Sequence, residues 1–338
     1  MTELELLERE ILKPSGALLA DMKSIEGDII LLGVAGKMGP SMARLAKQAS
    51  DQAGTKRRII GVSRFSDPDT RKALESEGIE TIAADLLNED DLASLPDAPN
   101  VLYLAGHKFG TTGKEAFTWA MNAYLPGRVA ERYKKSRIVA FSTGNVYPFS
   151  PVTEGGLSEE QSTGPVGEYG QSCLGRERIF QYFSEKYKTP TLIYRLNYAI
   201  DFRYGVLLEV AKAVAEERPI DLTTGFVNVI WQGDANEIAI RSLLHCSSPA
   251  RILNVTGPET VSIKWLADQF GRHLGKTPQF VNAPQTTALL SNASLSHRLF
   301  GYPRVTLREM IELTARWIKE GGDTINKPTH FQEREGKF

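Results

Sequence analysis

Three glycines follow the first apolar run of the chain at a spacing suited to holding a pyrophosphate. Segment 33–39 reads GVAGKMG, and a helix-forming run follows Pro40. Such a turn lets backbone N–H groups approach phosphate oxygens at the positive end of a helix dipole. A nucleotide triphosphate loop is excluded, because position 31 is Leu rather than Gly and position 38 is Met rather than Ser or Thr. The predicted cofactor-binding residues are Gly33, Gly36, Lys37, Met38 and Gly39.

The end of the second apolar run bears on which dinucleotide binds. Ser63 and Arg64 stand where a ribose with a free 2′-hydroxyl would require a carboxylate. A hydroxyl and a guanidinium suit a 2′-phosphate, so NADP is preferred, and NAD stays possible through Asp67. Asp85 and Leu86, at the end of the third run, are predicted to lie beside the adenine ring.

Seven apolar runs separated by helix-length segments must position these residues. Because the runs are continuous rather than alternating, they predict strands buried on both faces of a parallel sheet. The runs are 28–32, 58–62, 79–83, 101–105, 138–142, 192–196 and 252–255. Helices are predicted at 41–50, 115–135, 169–186, 207–217, 236–245, 263–274 and 307–319. The fold class is therefore α/β, a doubly wound parallel sheet (Rossmann) with a second, smaller α/β substrate domain.

Chain length and a looser pattern after Asn197 predict two domains. At 338 residues a single core usually stops growing. We expect a dinucleotide-binding domain over 1–200, with 229–257 returning to it, and a substrate-binding domain over 201–338. The charged tail 327–338 is expected to be a solvated extension, with docking at a subunit contact as the alternative.

Composition narrows the partners and the compartment. The 40 basic residues against 41 acidic ones give a net charge of −1, which lacks the footprint that nucleic acid or an anionic membrane requires. Segment 1–10 is acidic, and no apolar run approaches the roughly 20 residues that span a bilayer. The two cysteines, Cys173 and Cys246, cannot staple a fold of this size, which indicates a reducing, cytoplasmic location. No metal site is predicted.

Further motifs occur in an order that resembles the NAD-dependent epimerase/dehydratase family, the extended short-chain dehydrogenases/reductases. The resemblance runs from about residue 28 to about residue 317. It rests on Ala105-Gly106, on Asn122, on STGNVY at 142–147, on YGQS at 169–172 and on RLN at 195–197. The resemblance implies that the cofactor also contacts Ala105, Gly106, His107, Asn122, Ser142, Tyr169, Leu196 and Asn197.

The resemblance implies proton transfer by Tyr169, with Thr143 bonded to the same substrate oxygen. The family places a lysine four residues after the tyrosine, where its ammonium favours phenolate, but this chain has Cys173 there. The pKa of an unperturbed tyrosine is about 10, so only about one in a thousand is ionised at pH 7 without a cation. Loss of the lysine therefore favours reduction of a carbonyl by a neutral tyrosine over oxidation of an alcohol.

Three sources of positive charge could replace that lysine: the nicotinamide itself, the pair His107-Lys108 after the fourth strand, or Arg176. We prefer Lys108, because family loops at this place border the nicotinamide and the substrate. Arg176 is expected to pair with Glu177 or with another subunit, and His107 to be a satisfied loop histidine rather than a proton carrier. Cys173 as a nucleophile is the alternative role, although a small buried cysteine is favoured.

Asn145 is placed at a strand end where its amide could bond a hydroxylated substrate. The resemblance adds substrate contacts from Asn197, Tyr204, Arg304 and 228–232. Dehydratases of this family carry an Asp-Glu pair directly after the threonine, whereas Gly144 and Asn145 stand there in this chain, so sugar dehydration by that route is not expected. Epimerisation needs efficient hydride removal in its first step, and absence of the lysine works against that step. A reductase therefore fits these residues better. A nucleotide sugar, an aldonic or uronic acid and another hydroxylated carbonyl compound all remain open.

The resemblance also bears on assembly, because family members commonly pair through two long helices, here 115–135 and 169–186. A homodimer is therefore expected. Two functions stay open: an oxidoreductase of the epimerase/dehydratase type that prefers NADP, and a non-catalytic dinucleotide-binding sensor or scaffold. Survival of Thr143 and Tyr169 favours the first, and Cys173 favours the second.

Overall fold

A parallel sheet of seven strands forms the centre of the protein. The computed structural model describes residues 13–108, 110–325 and 329–337. The strands are β1 Ile29–Leu32, β2 Ile59–Ser63, β3 Glu80–Ala83, β4 Asn100–Tyr103, β5 Arg137–Thr143, β6 Thr191–Leu196 and β7 Arg251–Val255. Their order in the sheet is β7-β6-β5-β4-β1-β2-β3. The structure confirms the predicted doubly wound fold class, and every predicted strand lies within two residues of an observed one.

Helices cover both faces of the sheet. They are α1 Gly16–Ser24, α2 Gly39–Gln52, α3 Pro68–Ser76, α4 Glu89–Ser94, α5 Glu115–Trp119, α6 Leu125–Arg132, α7 Gly167–Tyr187, α8 Val206–Ala215, α9 Gln232–Arg241, α10 Ile263–Leu274, α11 Ser294–Phe300 and α12 Leu307–Lys319. A π-helical turn, Ala120–Tyr124, joins α5 to α6. Short 3₁₀ turns are Gly144–Val146, Val152–Glu154 and Ser242–His245. None of the described helices is both long and apolar enough to cross a membrane.

Successive side chains of each strand point to opposite faces of the sheet, and both faces are covered by helices, which explains why the strands are apolar at every position. In β1, Ile29 and Leu31 pack into the cluster that contains α1 and α2, whereas Ile30 and Leu32 pack into the cluster under α6 and α7. Each such side chain contributes roughly 1.5–3 kcal/mol when it is fully buried. Both faces of the sheet therefore demand apolar residues. Helices α1, α3, α4 and α11 were not predicted, because they are short; α3, for example, buries only Leu74.

A second hydrophobic core gathers residues that follow β6. Phe202 packs against Trp231 and Trp317, with ring centroids 4.8 and 5.6 Å apart. Four pairs of short strands lie outside the large sheet: Ala199–Ile200 with Ile230–Trp231, Ile220–Asp221 with Phe280–Val281, Phe226–Val227 with Val261–Ser262, and Ser150–Pro151 with Thr287–Ala288. The chain then returns to the large sheet, where β7 pairs with β6.

The C-terminal tail differs from the expected solvated extension. Thr329 and Phe331 are only 3% and 4% exposed, and Phe331 belongs to the second core. The prediction is therefore wrong for Thr329 and Phe331, because a count of charges overlooks the buried aromatic side chain, whereas Gln332, Glu335 and Lys337 are exposed as predicted. The remainder of the predicted tail, residues 327, 328 and 338, lies outside the described residues, as does the acidic segment 1–10.

Candidate active site

The glycine-rich turn lies where the strand order of the sheet reverses. β1 pairs with β2 on one side and with β4 on the other, which opens a crevice at the carboxyl ends of the strands. Gly33 has φ +93°, and a Cβ there would lie 2.8 Å from the backbone nitrogen of Ala105. A Cβ on Gly39 would lie 2.1 Å from the carbonyl oxygen of Val34. Only glycine fits at either position, and the turn leads into α2, so this cradle fits a dinucleotide pyrophosphate.

A cleft of about 260 Å³ runs from this turn to the start of α7. The predicted site residues that line it are Gly33, Gly36, Lys37, Met38, Gly39, Lys108, Ser142, Thr143, Asn145, Tyr169, Leu196, Asn197 and Tyr204. Sequence reasoning missed Leu104, Phe141, Tyr198, Ala199, Gly205, Val206 and Thr329. Leu104, Phe141 and Tyr198 adjoin recognised motifs and were within reach of the sequence, whereas Thr329 carries no signal.

Thr143 and Tyr169 come together where β5 ends and α7 begins. Their side chains are hydrogen-bonded to each other. The Thr143 hydroxyl also accepts from the backbone N–H of Asn145, at 3.1 Å. Burial, and secondly Cys173, raise the pKa of Tyr169 well above its usual value, outweighing Arg176 and Thr143, which lower it. Tyr169 is therefore a neutral phenol near pH 7, the form that can donate a proton.

Cys173 lies one helical turn beyond Tyr169 and is completely buried. It packs with Val146, Tyr147 and Leu157 and is hydrogen-bonded to the Tyr169 side chain. Burial raises the pKa of the Cys173 thiol, so the group stays neutral. A buried neutral thiol is a poor nucleophile, and the geometry gives no support to the nucleophilic alternative.

Lys108 is the predicted replacement cation that reaches the cleft. Its ammonium lies 5.8 Å from the centroid of the Tyr169 ring and 3.5 Å from the carbonyl oxygen of Thr329. Burial lowers the pKa of Lys108 to about 8, although Cys173 and Glu209 oppose this shift. Lys108 therefore stays charged at neutral pH and lies beside Tyr169, the predicted proton donor.

Asn122 holds the loop that carries Lys108. Its side-chain oxygen accepts from the His107 N–H at 2.8 Å, and its amide donates to the His107 carbonyl at 2.9 Å and to Ser172 Oγ at 3.0 Å. The His107 ring turns away from the cleft and contacts Thr118 Oγ1 at 3.0 Å. These contacts make Asn122 a residue that shapes the loop, and His107 a satisfied loop histidine.

Arg176 is buried beneath this loop and is not paired as expected. It donates to the carbonyl of Phe141 at 2.8 Å and to Asn122 Oδ1 at 2.7 Å. Its expected partner Glu177 instead forms a two-point ion pair with Arg195, at 2.9 and 2.7 Å. Arg176 and Glu177 have different partners because adjacent residues project from different sides of α7. Arg176 therefore joins β5 to the helix of Asn122.

The Glu177–Arg195 pair forms the floor beneath the strand ends. Ser142 Oγ donates to Glu177 Oε1 at 2.6 Å, and Arg195 donates to the Tyr147 hydroxyl at 2.6 Å. Both charged side chains are at most 2% exposed. Removing one partner of such a pair typically costs about 3–5 kcal/mol, so the network fixes the position of Ser142.

Lys37 brings a second amine to the cleft, and about half of it is protonated near pH 7. Part of its side chain is exposed, but the ammonium lies 2.9 Å from the Ala199 carbonyl and 3.5 Å above the Tyr204 ring. Desolvation lowers the pKa of Lys37 to about 7, which Asp201 opposes and Lys108 reinforces. The residues that line the cleft include two lysines and no carboxylate. An anionic ligand is therefore favoured.

Several predicted cofactor residues lie outside the cleft. Ser63 ends β2, and the next residue, Arg64, is exposed. Asp67 caps α3, accepting from Asp69 N–H at 3.0 Å and from Thr70 Oγ1 at 2.7 Å. Asp85 accepts from the N–H of Leu87 at 3.0 Å and shapes its own turn. Leu86 is buried, and Ala105 and Gly106 pack at the end of β4.

The predicted substrate contact Arg304 does not reach the cleft. Its guanidinium lies 3.5 Å from carboxylate oxygens of both Asp234 and Glu237 on α9 and donates to the Lys13 carbonyl at 3.1 Å. The expectation fails because this acidic pair draws the arginine to the outside of the sheet. Within the described ranges, no group of three or more His, Cys, Asp or Glu residues is arranged to hold a metal ion.

The fold and the cleft define a doubly wound α/β protein of the dinucleotide-binding type. Residues 29–224 match the model of the NAD dependent epimerase/dehydratase family. The match spans more than half of the chain, and the protein belongs to this family. No curated protein sequence is significantly similar to it.

Solved structures share this fold. A mutant UDP-glucuronic acid 4-epimerase from Bacillus cereus, in complex with NAD and UDP-4-deoxy-4-fluoro-glucuronic acid, is 21% identical with a TM-score of 0.73, covering 87% of this chain and 99% of that one. MoeE5, in complex with UDP-glucose and NAD, is 17% identical with a TM-score of 0.69 and the same coverage. UDP-glucose 4-epimerase from Thermus thermophilus, in complex with NAD, is 16% identical with a TM-score of 0.70, covering 86% and 99%. At these identities the similarity establishes the fold.

Proposed function

We propose that this protein is an NAD(P)-dependent oxidoreductase of the epimerase/dehydratase type that reduces a sugar-like or other hydroxylated carbonyl compound. The observation that carries the proposal is the contact between Thr143 and Tyr169 at the end of the cleft that begins at the glycine turn. Two hydroxyls that meet there can bond one substrate oxygen from two directions. Residues 201–338, without the returning segment 229–257, are proposed to hold the substrate, supported by Tyr204 and Thr329 in the cleft wall.

The chain's own residues account for the proton. A bound reduced nicotinamide dinucleotide would supply the hydride that the carbonyl carbon accepts. The Tyr169 phenol donates its proton to the carbonyl oxygen, which becomes the alcohol, and solvent returns a proton to the phenolate. Thr143 holds that oxygen in place. Because burial keeps Tyr169 protonated, the site favours reduction over oxidation.

The proposed cofactor is NADP, with NAD as the alternative. Arg64 is exposed at the end of β2, where a guanidinium can bond a 2′-phosphate, and Asp67 is occupied as a helix cap. The solved structures of the same fold contain NAD, which keeps the alternative in view. The remaining proposed cofactor contacts are the glycine turn with Lys37 and Met38, and the residues at the ends of β4, β5 and β6.

A second candidate is a dinucleotide-binding protein without turnover, and Cys173 is the observation that favours it. The test is to titrate the protein with NADPH and NADH by fluorescence, and then to follow oxidation of the bound cofactor with a panel of hydroxylated aldehydes and ketones. Turnover by the natural chain supports the reductase. Binding without turnover, together with turnover created by Cys173→Lys, supports the second candidate. Absence of dinucleotide binding contradicts both.

We also propose a homodimer formed through α5, α6 and α7. Exposed aromatic residues on these helices and on the π-helical turn between α5 and α6 support it: Phe117, Trp119, Tyr124 and Tyr182 are 38–57% exposed. Sedimentation analysis should show a dimer for the natural chain and a monomer for Tyr124→Glu combined with Tyr182→Glu. A natural chain that sediments as a monomer would contradict the proposal.

A further inference from the structure

A buried arginine lies beneath the end of the cleft that contains Tyr169. Arg176 is 6% exposed, and its guanidinium donates to the Phe141 carbonyl at 2.8 Å and to Asn122 Oδ1 at 2.7 Å. A longer contact joins its Nε to the Asn122 carbonyl at 3.4 Å. All three acceptors are neutral oxygens. Because a guanidinium stays charged at any ordinary pH, the protein holds a permanent positive charge at this place.

No acidic side chain neutralises this charge. Among the residues that the structure describes, no carboxylate forms an ion pair with Arg176, and the adjacent Glu177 is paired with Arg195. The other ionisable groups near the guanidinium are Tyr103, Tyr169 and Cys173. Burial raises the pKa of all three groups, so each is neutral near pH 7. A buried charge of this kind acts on its surroundings with little screening by water.

The guanidinium lies against the strand ends that border the cleft. A Cβ on Gly106, which follows β4, would lie 2.5 Å from Arg176 Nη2. Phe141, whose carbonyl accepts from Arg176, lines the cleft and belongs to β5 together with Thr143. Helical side chains lean toward the N-terminus of their helix, so Arg176 extends along α7 in the direction of Tyr169. One layer of backbone therefore separates the charge from the Tyr169 end of the cleft.

The position of this charge bears on which form of the cofactor binds. The glycine turn fits a pyrophosphate, so a dinucleotide that follows the cleft brings its nicotinamide to the Tyr169 end. A nicotinamide ring is positively charged when oxidised and neutral when reduced. A fixed cation repels the oxidised ring and leaves the reduced ring unaffected. No carboxylate occurs among the described residues that line the cleft, so nothing there offsets the repulsion.

We propose that Arg176 sets the redox preference of the cofactor site, so that the cleft binds the reduced form of the dinucleotide more tightly than the oxidised form. The inference rests on the proposed function, which places the nicotinamide beside Tyr169. During the proposed reduction Tyr169 becomes a phenolate, which Arg176 attracts, while the ring becomes positive, which Arg176 repels. These effects on the chemical step oppose each other, and the influence of Arg176 is therefore expected in cofactor binding. Arg176 favours loading with reduced cofactor and release of the oxidised product.

The test compares reduced and oxidised dinucleotides by calorimetry, in the absence of any substrate. NADPH is compared with NADP⁺, and NADH with NAD⁺, so that the 2′ position is the same within each pair. The reduced member should bind the natural chain about tenfold or more tightly, and a tenfold difference corresponds to about 30 mV for a two-electron couple. Equal affinities, or tighter binding of the oxidised member, overturn the proposal.

Replacement of Arg176 shows whether this charge causes the preference. Arg176→Met should reduce the preference for the reduced form about tenfold, whereas Arg176→Lys should retain more of it because the positive charge remains. Arg178→Met is the matched control, since Arg178 is an exposed arginine on the same helix that donates to Gln181 at 2.9 Å. A preference that is the same in Arg176→Met and in Arg178→Met would show that Arg176 is not its source.

A further variant neutralises the charge and keeps the arginine. Asn122→Asp preserves the size of the side chain and places a carboxylate oxygen where Asn122 Oδ1 now accepts from Arg176. The preference should fall as in Arg176→Met, and thermal unfolding shows whether each variant is folded. An unchanged preference in folded Asn122→Asp overturns the proposal even if Arg176→Met does not fold. Failure of the proposed function is a separate result, because it appears as absence of binding by all four dinucleotides.

Discussion

The two ends of the cleft are built in different ways. The proposed cofactor end is made of consecutive backbone, in which Gly33 and Gly39 approach neighbouring chain so closely that no side chain fits. The proposed proton-transfer end is made of side chains from β5, α7, the loop after β4 and the C-terminal tail. A site made of backbone permits few substitutions, whereas a site made of side chains can receive the same charge from another element.

The positive charge near Tyr169 is an example of a group that a different element can supply. The resemblance implies an ammonium one turn after the tyrosine, and this chain has a neutral buried thiol there, Cys173. Lys108 approaches the Tyr169 ring from a loop instead, at 5.8 Å. Asn122 bonds both the N–H and the carbonyl of His107, the residue before Lys108, and so fixes the backbone of that loop. We therefore expect the proton-transfer end to retain activity with altered pH dependence.

The largest expected effect is at the proton-transfer end. Tyr169→Phe removes the proton donor and keeps the ring, so turnover should fall about 10²- to 10⁴-fold. Dinucleotide binding, measured by fluorescence, should change little, because the hydroxyl is the only group lost. Tyr182→Phe is the control, since Tyr182 lies on the same helix and is 57% exposed. Retention of full turnover in Tyr169→Phe would show that another group supplies the proton.

At the cofactor end, Gly39→Ala should act through the backbone. The new Cβ would lie 2.1 Å from the Val34 carbonyl oxygen, so the turn must shift away from the pyrophosphate. We expect NADPH affinity to fall about 100-fold, which corresponds to about 2.7 kcal/mol. Gly16→Ala serves as the control, because no atom lies within 4 Å of the corresponding Cβ. Thermal unfolding of both variants separates loss of binding from loss of the fold. An unchanged NADPH affinity would show that the glycine turn does not hold the pyrophosphate.

Substrate binding at the Tyr169 end of the cleft should depend on pH through Lys108. Lys108 is charged below its pKa of about 8 and loses its charge above it, so it should bind an anionic substrate below that pH and release it above. KM for a carboxylate substrate should be flat below about pH 7.5 and rise about tenfold per unit well above pH 8. Lys108→Arg should remove this rise, because a guanidinium stays charged. A KM that rises equally in both proteins would assign the titration to another group.

The smallest expected effect concerns cofactor preference. Arg64→Ser should weaken NADPH binding about tenfold through loss of a charged hydrogen bond and leave NADH binding unchanged. Lys72→Ser is the control, since Lys72 is an exposed cation on the neighbouring helix α3. Fluorescence titrations give both affinities. Tighter binding of NADH than NADPH by the natural chain would reverse the proposed preference.

The sequence predicted the sheet well because each strand carries its own signal. Runs such as Ile29–Leu32 are apolar at every position, since both faces of the sheet are covered. Arg304 and Arg176 were misplaced because an arginine can reach many partners, and only packing shows which acid or carbonyl lies within range. The tail was misjudged because one buried residue, Phe331, outweighs its charged neighbours.

The sequence by itself determined the doubly wound sheet and the glycine turn, and it placed Cys173 four residues after Tyr169, where the resemblance implies a lysine. These features follow from residue type and local spacing. Only the tertiary structure showed which cations lie near Tyr169, with Lys108 in the cleft and Arg176 buried beneath it. Lys108 and Thr329 are 221 positions apart in the chain, and no local pattern records that they meet. Their contact exists because the second core anchors the tail at Phe331, and that anchoring depends on the packing of the whole molecule.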